Sequence, residues 1–351
     1  MRSRGGRTWR RSAWALLALA VGGCASTGQG PVADDLYADY VWPPPPDTPR
    51  IRLERVIAGR ADVEATSRLA RTLLGSVPAT PYDRLSKPFA VAFDGRGRLL
   101  VTDSGTGALI RFDEAEGRMD VFGTRGSVRL KLPLGLTVDA DGRVLVADAG
   151  LKRVVAFDEE GKVVAVYGRG GELDNPTDAV TSPDGERLLV ADSKAHRLVV
   201  FDRTSGELLE TIGQAGEAEG QFAFPTSLAF APDGTLLVVD QINARVQVLT
   251  ADGQYLTEFG SLGVGFGNFV RPKDVAVDEL GLVYVTDNAF NNVQLFGPDY
   301  RLLTFVGEGG YGPGRFRGAS GVAVEGDRFA VVDQLGRRVQ VFRFLVAKDA
   351  P

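Results

Sequence analysis

The tripeptide Val-x-Asp occurs six times in register. It ends at Asp103, Asp148, Asp192, Asp240, Asp287 and Asp333, at intervals of 45, 44, 48, 47 and 46 residues. A period of that size marks a stack or ring of like units rather than a conventional enzyme domain. At 351 residues the chain would otherwise suggest two domains, but a closed ring of β repeats can hold this length as one. The 44 glycines and 18 prolines suit many short strands joined by tight turns.

The third copy shows the unit in full. Pro176 opens an apolar strand over 178–181, and Pro183-Asp184-Gly185 turns the chain. Residues 187–192 form a second strand, 193–196 a loop, 197–201 a third strand, 202–206 a turn and 207–212 a fourth strand. Each run is short, β-branched or aromatic, and bounded by turn residues. Four antiparallel strands per unit make one propeller blade. Between later blades a second signature recurs, GEAEGQFAFP at 216–225, GVGFGNFVRP at 263–272 and GYGPGRFRGA at 310–319. Its phenylalanines, Phe222, Phe269 and Phe316, are expected to fill the wedge between neighbouring blades.

The pattern Pro, strand, Asp-x-x-Gly, Val-x-Asp-x-x-x-x-Arg-Val-x-x-Phe resembles the NHL repeat over residues 50–346. The resemblance implies an all-β, six-bladed β-propeller. The first copy departs from it at Ala108 and the fifth at Asn292, where arginine is expected, and the second and third crossovers lack the Gly-x-Phe element. The sixth copy lacks a fourth strand. Residues 51–59, IRLERVIAG, resemble the fourth strands at 208–213 and 255–260. Residues 51–57 are therefore expected to be the outer strand of the last blade, closing the ring and removing its open edges.

The N-terminus reads as an export signal. Arg2, Arg4, Arg7, Arg10 and Arg11 precede an apolar run at 13–22 that is too short to span a bilayer as a helix. The segment 1–23 ends in Val21-Gly22-Gly23 before Cys24, the only cysteine, which excludes disulfides within the monomer. This ending resembles the lipobox of bacterial lipoproteins. The resemblance implies cleavage before Cys24, its acylation, and a lipid-anchored, extracytoplasmic place in the cell envelope. Ala25 leans towards the outer membrane. Residues 24–49, with the run Pro43 to Pro46, are expected to form an extended tether, or else a docking strip built on Tyr37, Tyr40 and Trp42. Residues 347–351 are a tail. An insertion at 61–86 carries Leu69, Leu73 and Leu74 at helical spacing, and a short helix is expected there.

Five of the 40 basic residues lie in the first 23, leaving 35 against 45 acidic ones. That balance argues against a nucleic-acid partner. Strand order puts the tight, acidic turns on one face and the longer loops and crossovers, rich in Lys, Arg and Asn, on the other.

An aspartate found at the same turn in every unit reads as a turn device whose carboxylate accepts backbone N–H groups. Specific chemistry belongs where the copies differ. The second residue after each crossover proline position is Ala90, Gly135, Asp178, Ser227, Asp274 or Gly321. Asp178 and Asp274, with Ser227 between them, are the candidates for the channel entrance. Lys273, His196, Arg197, Asn243, Asn291 and Asn292 are further candidates for binding on the loop-rich face.

The leading expectation is a lipid-anchored binding or scaffold propeller that recognises a protein, peptide or glycan on that face, with no catalytic residues and no cofactor. The alternative is a propeller enzyme of lactonase or lyase type acting at the channel mouth. A lyase-type metal site rich in histidine is beyond a chain whose one histidine is His196. A calcium-dependent lactonase needs only acids and amides, such as Asp178, Asp274 and Asn291.

Overall fold

The computed structural model describes residues 36–64 and 79–345. Cys24, the export signal, the tail 347–351 and the leucines of the expected helix, Leu69, Leu73 and Leu74, lie outside the described residues. The rest is a ring of six antiparallel sheets. Blades 1 to 6 begin with the strands Pro88–Phe93, Pro133–Val138, Pro176–Thr181, Pro225–Phe230, Pro272–Val277 and Ala319–Glu325. In blade 3 the four strands are Pro176–Thr181, Arg187–Asp192, Arg197–Asp202 and Leu208–Ile212, within one or two residues of the expected bounds.

Blade 6 closes as the sequence indicates. Ile51–Ile57 pairs antiparallel with Arg338–Phe344, opposing Ile51 to Phe344 and Ile57 to Val339. The chain ahead of it is not an extended spacer throughout. Val41–Trp42 adds a fifth strand outside Ile51–Ile57. The Trp42 indole meets the Phe342 ring edge-on at 5.4 Å, and Trp42 packs with Tyr37 against the core between blades 5 and 6. The aromatic strip thus docks on its own propeller.

Side chains alternate across a strand, and here both faces of the middle strands are covered. Six apolar clusters follow, each straddling two adjacent blades. In the second strand of blade 6, Phe329 and Val331 face blade 5 while Ala330 and Val332 face blade 1. Phe222, Phe269 and Phe316 are fully buried in these clusters. Each ring lies over a glycine that ends the preceding blade. A Cβ on Gly213, Gly260 or Gly307 would fall 2.3 Å from the ring, and all three glycines hold positive φ. Where the Gly-x-Phe element is missing, Leu130 and Leu173 take the plug's place over Gly123 and Gly168.

The six repeated aspartates are wholly buried. Each binds the crossover that enters its own blade. Asp103 accepts N–H bonds from Ser86 and Lys87, and also from Gly105 and Thr106 in the following loop. Asp287 does the same with Val270, Arg271, Ala289 and Phe290. Asp192, Asp240 and Asp333 also pair with the arginine five positions on. The carboxylates therefore join crossover, loop and strand in every blade.

Several carboxylates of the acidic turns pair with arginines from neighbouring blades. Arg203 of blade 3 bridges Asp139 and Asp141 of blade 2. Arg98 of blade 1 joins Asp94 to Glu159 of blade 2. Arg55 of blade 6 holds Glu114 of blade 1. Carboxylates that the sequence lays out as a free acidic face are in these cases links between blades.

Candidate functional site at the channel mouth

The first strands of the blades line a central cavity of about 370 Å³. They enter from the crossover face, and each begins with a β-bulge at its first residues. A bulge breaks the two-residue alternation. Consecutive residues of these strands line the cavity, at the bulge and beyond it. Phe89 with Ala90, Thr177 with Asp178, Lys273 with Asp274 and Ser320 with Gly321 all line it.

At the narrow level the inner strands nearly touch. A Cβ on Gly135 would sit 2.5 Å from Asp178 Oδ1, and one on Gly321 would sit 2.6 Å from the Ala90 Cα. These two glycines are required by close approach of neighbouring backbones. The remaining three positions carry polar groups, and they form one constellation. Ser227 Oγ donates to Asp274 Oδ1 at 2.5 Å, and the same hydroxyl also interacts with Asp178. Asp178 accepts N–H bonds from Ala179 in its own strand and from Leu228 of blade 4. Asp274 accepts them from Val275 and from Val322 of blade 6. Leu228 and Val322 each follow a bulge, so the carboxylates satisfy N–H groups that the ladder leaves over.

Burial pushes the Asp178 carboxyl up to about 8, and the neighbouring Asp274 charge adds to the shift. Asp274 rises to about 6, again through burial, with the Ser227 hydroxyl and the Val322 and Val275 N–H groups opposing it. Neighbouring acids of this kind titrate as a pair, and desolvation favours keeping a proton on one of them. Both folded-state values lie above those of an unfolded chain. The stability they contribute is therefore present at acid pH and lost as pH rises through about 6 to 8. Between pH 5 and pH 8.5 the melting temperature of the native protein should fall by several degrees more than that of Asp178→Asn/Asp274→Asn. Differential scanning fluorimetry checks this, and parallel curves for the two proteins would contradict it.

Lys273 lies beside this constellation, with its Nζ over the Phe89 ring at 5.5 Å. Phe89 is the lining residue that sequence reasoning missed. Strict alternation points position 90 at the channel and position 89 away, yet each residue from Phe89 to Phe93 lines the cavity.

The other candidates are placed on the same face but outside the cavity lining. His196 holds a left-handed conformation at its loop, and its Nδ1 accepts the Phe224 N–H. Arg197 is bound to Asp192 and the Glu172 carbonyl. Asn243 donates to Gly216 O and Asp240. The Asn291 amide oxygen accepts the Gly318 N–H. Asn292 opens the third strand of blade 5, opposite Asp287.

The donor set does not suit calcium. Such an ion takes six to eight oxygen ligands. The channel mouth offers two carboxylates already engaged by four N–H groups and a hydroxyl, and Asn291 faces elsewhere. Among the described residues no group of three or more His, Cys, Asp and Glu side chains is arranged to hold a metal.

The fold and the channel define a six-bladed β-propeller with a polar site on its axis. No protein-family model and no curated protein sequence matches the chain. Solved structures do. A gluconolactonase from Xanthomonas campestris is 19% identical with a TM-score of 0.57, covering 83% of this chain and 98% of its own. A virginiamycin B lyase from Staphylococcus aureus, carrying an inactivating substitution and bound to quinupristin, is 14% identical with a TM-score of 0.56, covering 76% and 83%. A Bacteroides thetaiotaomicron protein of unknown function reaches a TM-score of 0.64 at 14% identity, covering 84% and 76%. At these identities the likeness is one of fold. The expectation drawn from the NHL resemblance is met as far as the six-bladed propeller.

Proposed function

We propose that the protein is a propeller enzyme of lactonase or lyase type, with Asp178 and Asp274 as an acid–base pair at the channel mouth. The observation that carries this reading is the pair itself. Asp178, which is buried, and Asp274, which is partly buried, share Ser227 and line a cavity of ligand size, and desolvation raises both carboxyls. Acids raised in this way inside a cavity are suited to proton transfer. That solved neighbours include a gluconolactonase and a lyase supports the enzyme reading over a purely scaffolding one.

For a lactone the steps are these. The Asp274 carboxylate takes a proton from a water molecule as its oxygen attacks the carbonyl carbon. Asp178, protonated, gives its proton to the ring oxygen as the acyl C–O bond breaks. The product is a hydroxy acid, and the pair regains its starting state when the proton passes from Asp274 back to Asp178 through Ser227. The signal ending at Cys24 supports action outside the cytoplasm, on a lipid anchor in the cell envelope.

The test is hydrolysis of a panel of five- and six-membered lactones followed by pH-stat. Turnover should be bell-shaped in pH, with limbs near 6 and 8. It should fall by about 10²–10⁴-fold in Asp178→Asn and in Asp274→Asn. A panel with no turnover at any pH sinks the reading. It would favour recognition on the crossover face, where Leu262, Val264, Phe266 and Tyr311 stand exposed.

A further inference from the structure

We infer that the channel mouth binds small amphipathic anions, with Lys273 holding the anionic group and the opposite rim receiving an apolar body. The inference takes the mouth as the ligand site, as above, and names the class of ligand it accepts.

Three observations carry it. The first is an uncompensated cation in the cavity wall. Lys273 lines the cavity and is partly buried. Among the described residues its ammonium has no carboxylate within ion-pair distance and no hydrogen-bond acceptor; its one recorded partner is the Phe89 ring. A buried charge without a counter-ion is costly, and an incoming carboxylate, sulfonate or phosphate would remove that cost. Asp274, the next residue, is near enough to act on Lys273 through space, but its oxygens are turned to Val275, Ser227 and Val322.

The second observation is that the cation is not alone. The residues just ahead of the six first strands are Lys87, Leu132, Asn175, Phe224, Arg271 and Gly318. The cationic ones belong to blades 1 and 5, separated only by the Gly318 of blade 6. Lys87 and Arg271 both act electrostatically on Lys273. At this position of the rim the positive charge is thus beside Lys273.

The third is the rest of the rim. Leu132 of blade 2 and Phe224 of blade 4 are exposed there, and Ile242 of the adjacent blade 4 loop is 64% exposed. Apolar surface facing a cationic arc across a cavity of about 370 Å³ fits a ligand with one charged end and one hydrocarbon end.

The probes are 4-phenylbutyrate and its neutral amide, titrated into the full chain by calorimetry at low salt. The carboxylate should bind at least tenfold more tightly than the amide. In Lys273→Met, which keeps the apolar stem, that preference should vanish. In Lys273→Arg it should persist in part. Circular dichroism melting confirms that each variant is folded. Equal binding of acid and amide, an unchanged preference in Lys273→Met, or no binding of either probe overturns the inference. The same titration beside the lactone panel, both on the native protein, separates this outcome from the enzymatic one. An anion preference in the native protein without turnover sinks the acid–base reading alone, and turnover of neutral lactones without anion preference sinks this one alone.

Discussion

Removing residues 50–59 should abolish cooperative folding or lower the melting temperature by tens of degrees. The segment supplies the fourth strand of blade 6, and Ile51, Leu53 and Ile57 are essentially inaccessible to solvent. Burying one such side chain contributes about 1.5–3 kcal/mol, so the three together contribute roughly 5–9 kcal/mol. That is comparable with the whole stability of an ordinary domain, about 5–15 kcal/mol. The deletion also uncovers the edge of Arg338–Phe344, an invitation to pair with another chain. It detaches Val41–Trp42, which has no other sheet to join. A point variant grades the same effect. Leu53→Ala empties a fully buried site opposite Phe342 and should cost about 2–5 kcal/mol. Chemical denaturation of both proteins checks this. A melting temperature unchanged by the deletion would show that the ring closes by other means.

That closing strand was legible in the sequence because it is a displaced copy of a repeated element. The blades were legible for the same reason. Six copies of a strand pattern fix the period, and Phe222, Phe269 and Phe316 recur at a fixed distance from the glycines they cover. What was not legible depends on neighbours that only the ring brings together. Tyr37 and Trp42 look like part of a proline-rich tether until Phe342 is placed beside them. Asp141 and Glu159 look like solubilising charges until Arg203 and Arg98 arrive from adjacent blades. The channel shows both cases. Asp178, Ser227 and Asp274 stand out because the copies disagree there, so sequence comparison within the chain finds them. Their direct bonding, and the place of Phe89 in the lining, depend on how neighbouring blades meet, which no alternation rule anticipates. His196, Arg197 and Asn243 stand out in the sequence by their place in the loops of the crossover face. Their partners are backbone groups of crossovers and the repeated aspartates, which only the folded ring supplies.

The second large effect is expected at Asp240, the repeated aspartate with the most side-chain partners. One of its carboxylate oxygens accepts the Ala223 N–H. The other receives Asn243 Nδ2 at 2.8 Å, Arg245 Nε at 2.9 Å and Gln247 Nε2 at 3.2 Å. Arg245 and Gln247 are themselves buried. Asp240→Ala would leave the guanidinium with Glu258 and the carbonyls of Ala218 and Gln221, and would orphan the crossover N–H. Breaking a buried ion pair by deleting one partner costs about 3–5 kcal/mol, because the other charge remains. Asp240→Asn keeps the shape and one acceptor, so it should cost less, about 1–3 kcal/mol. The order Ala worse than Asn, read by urea denaturation, tests the claim that the repeated aspartates serve the fold. A catalytic or metal-binding role predicts a different pattern. Under that role both variants would lose turnover per folded molecule while stability stayed near that of the native protein. Asp240 lies outside the residues that line the cavity, so the loss should appear in stability, and the turnover of the folded fraction should stay as it was.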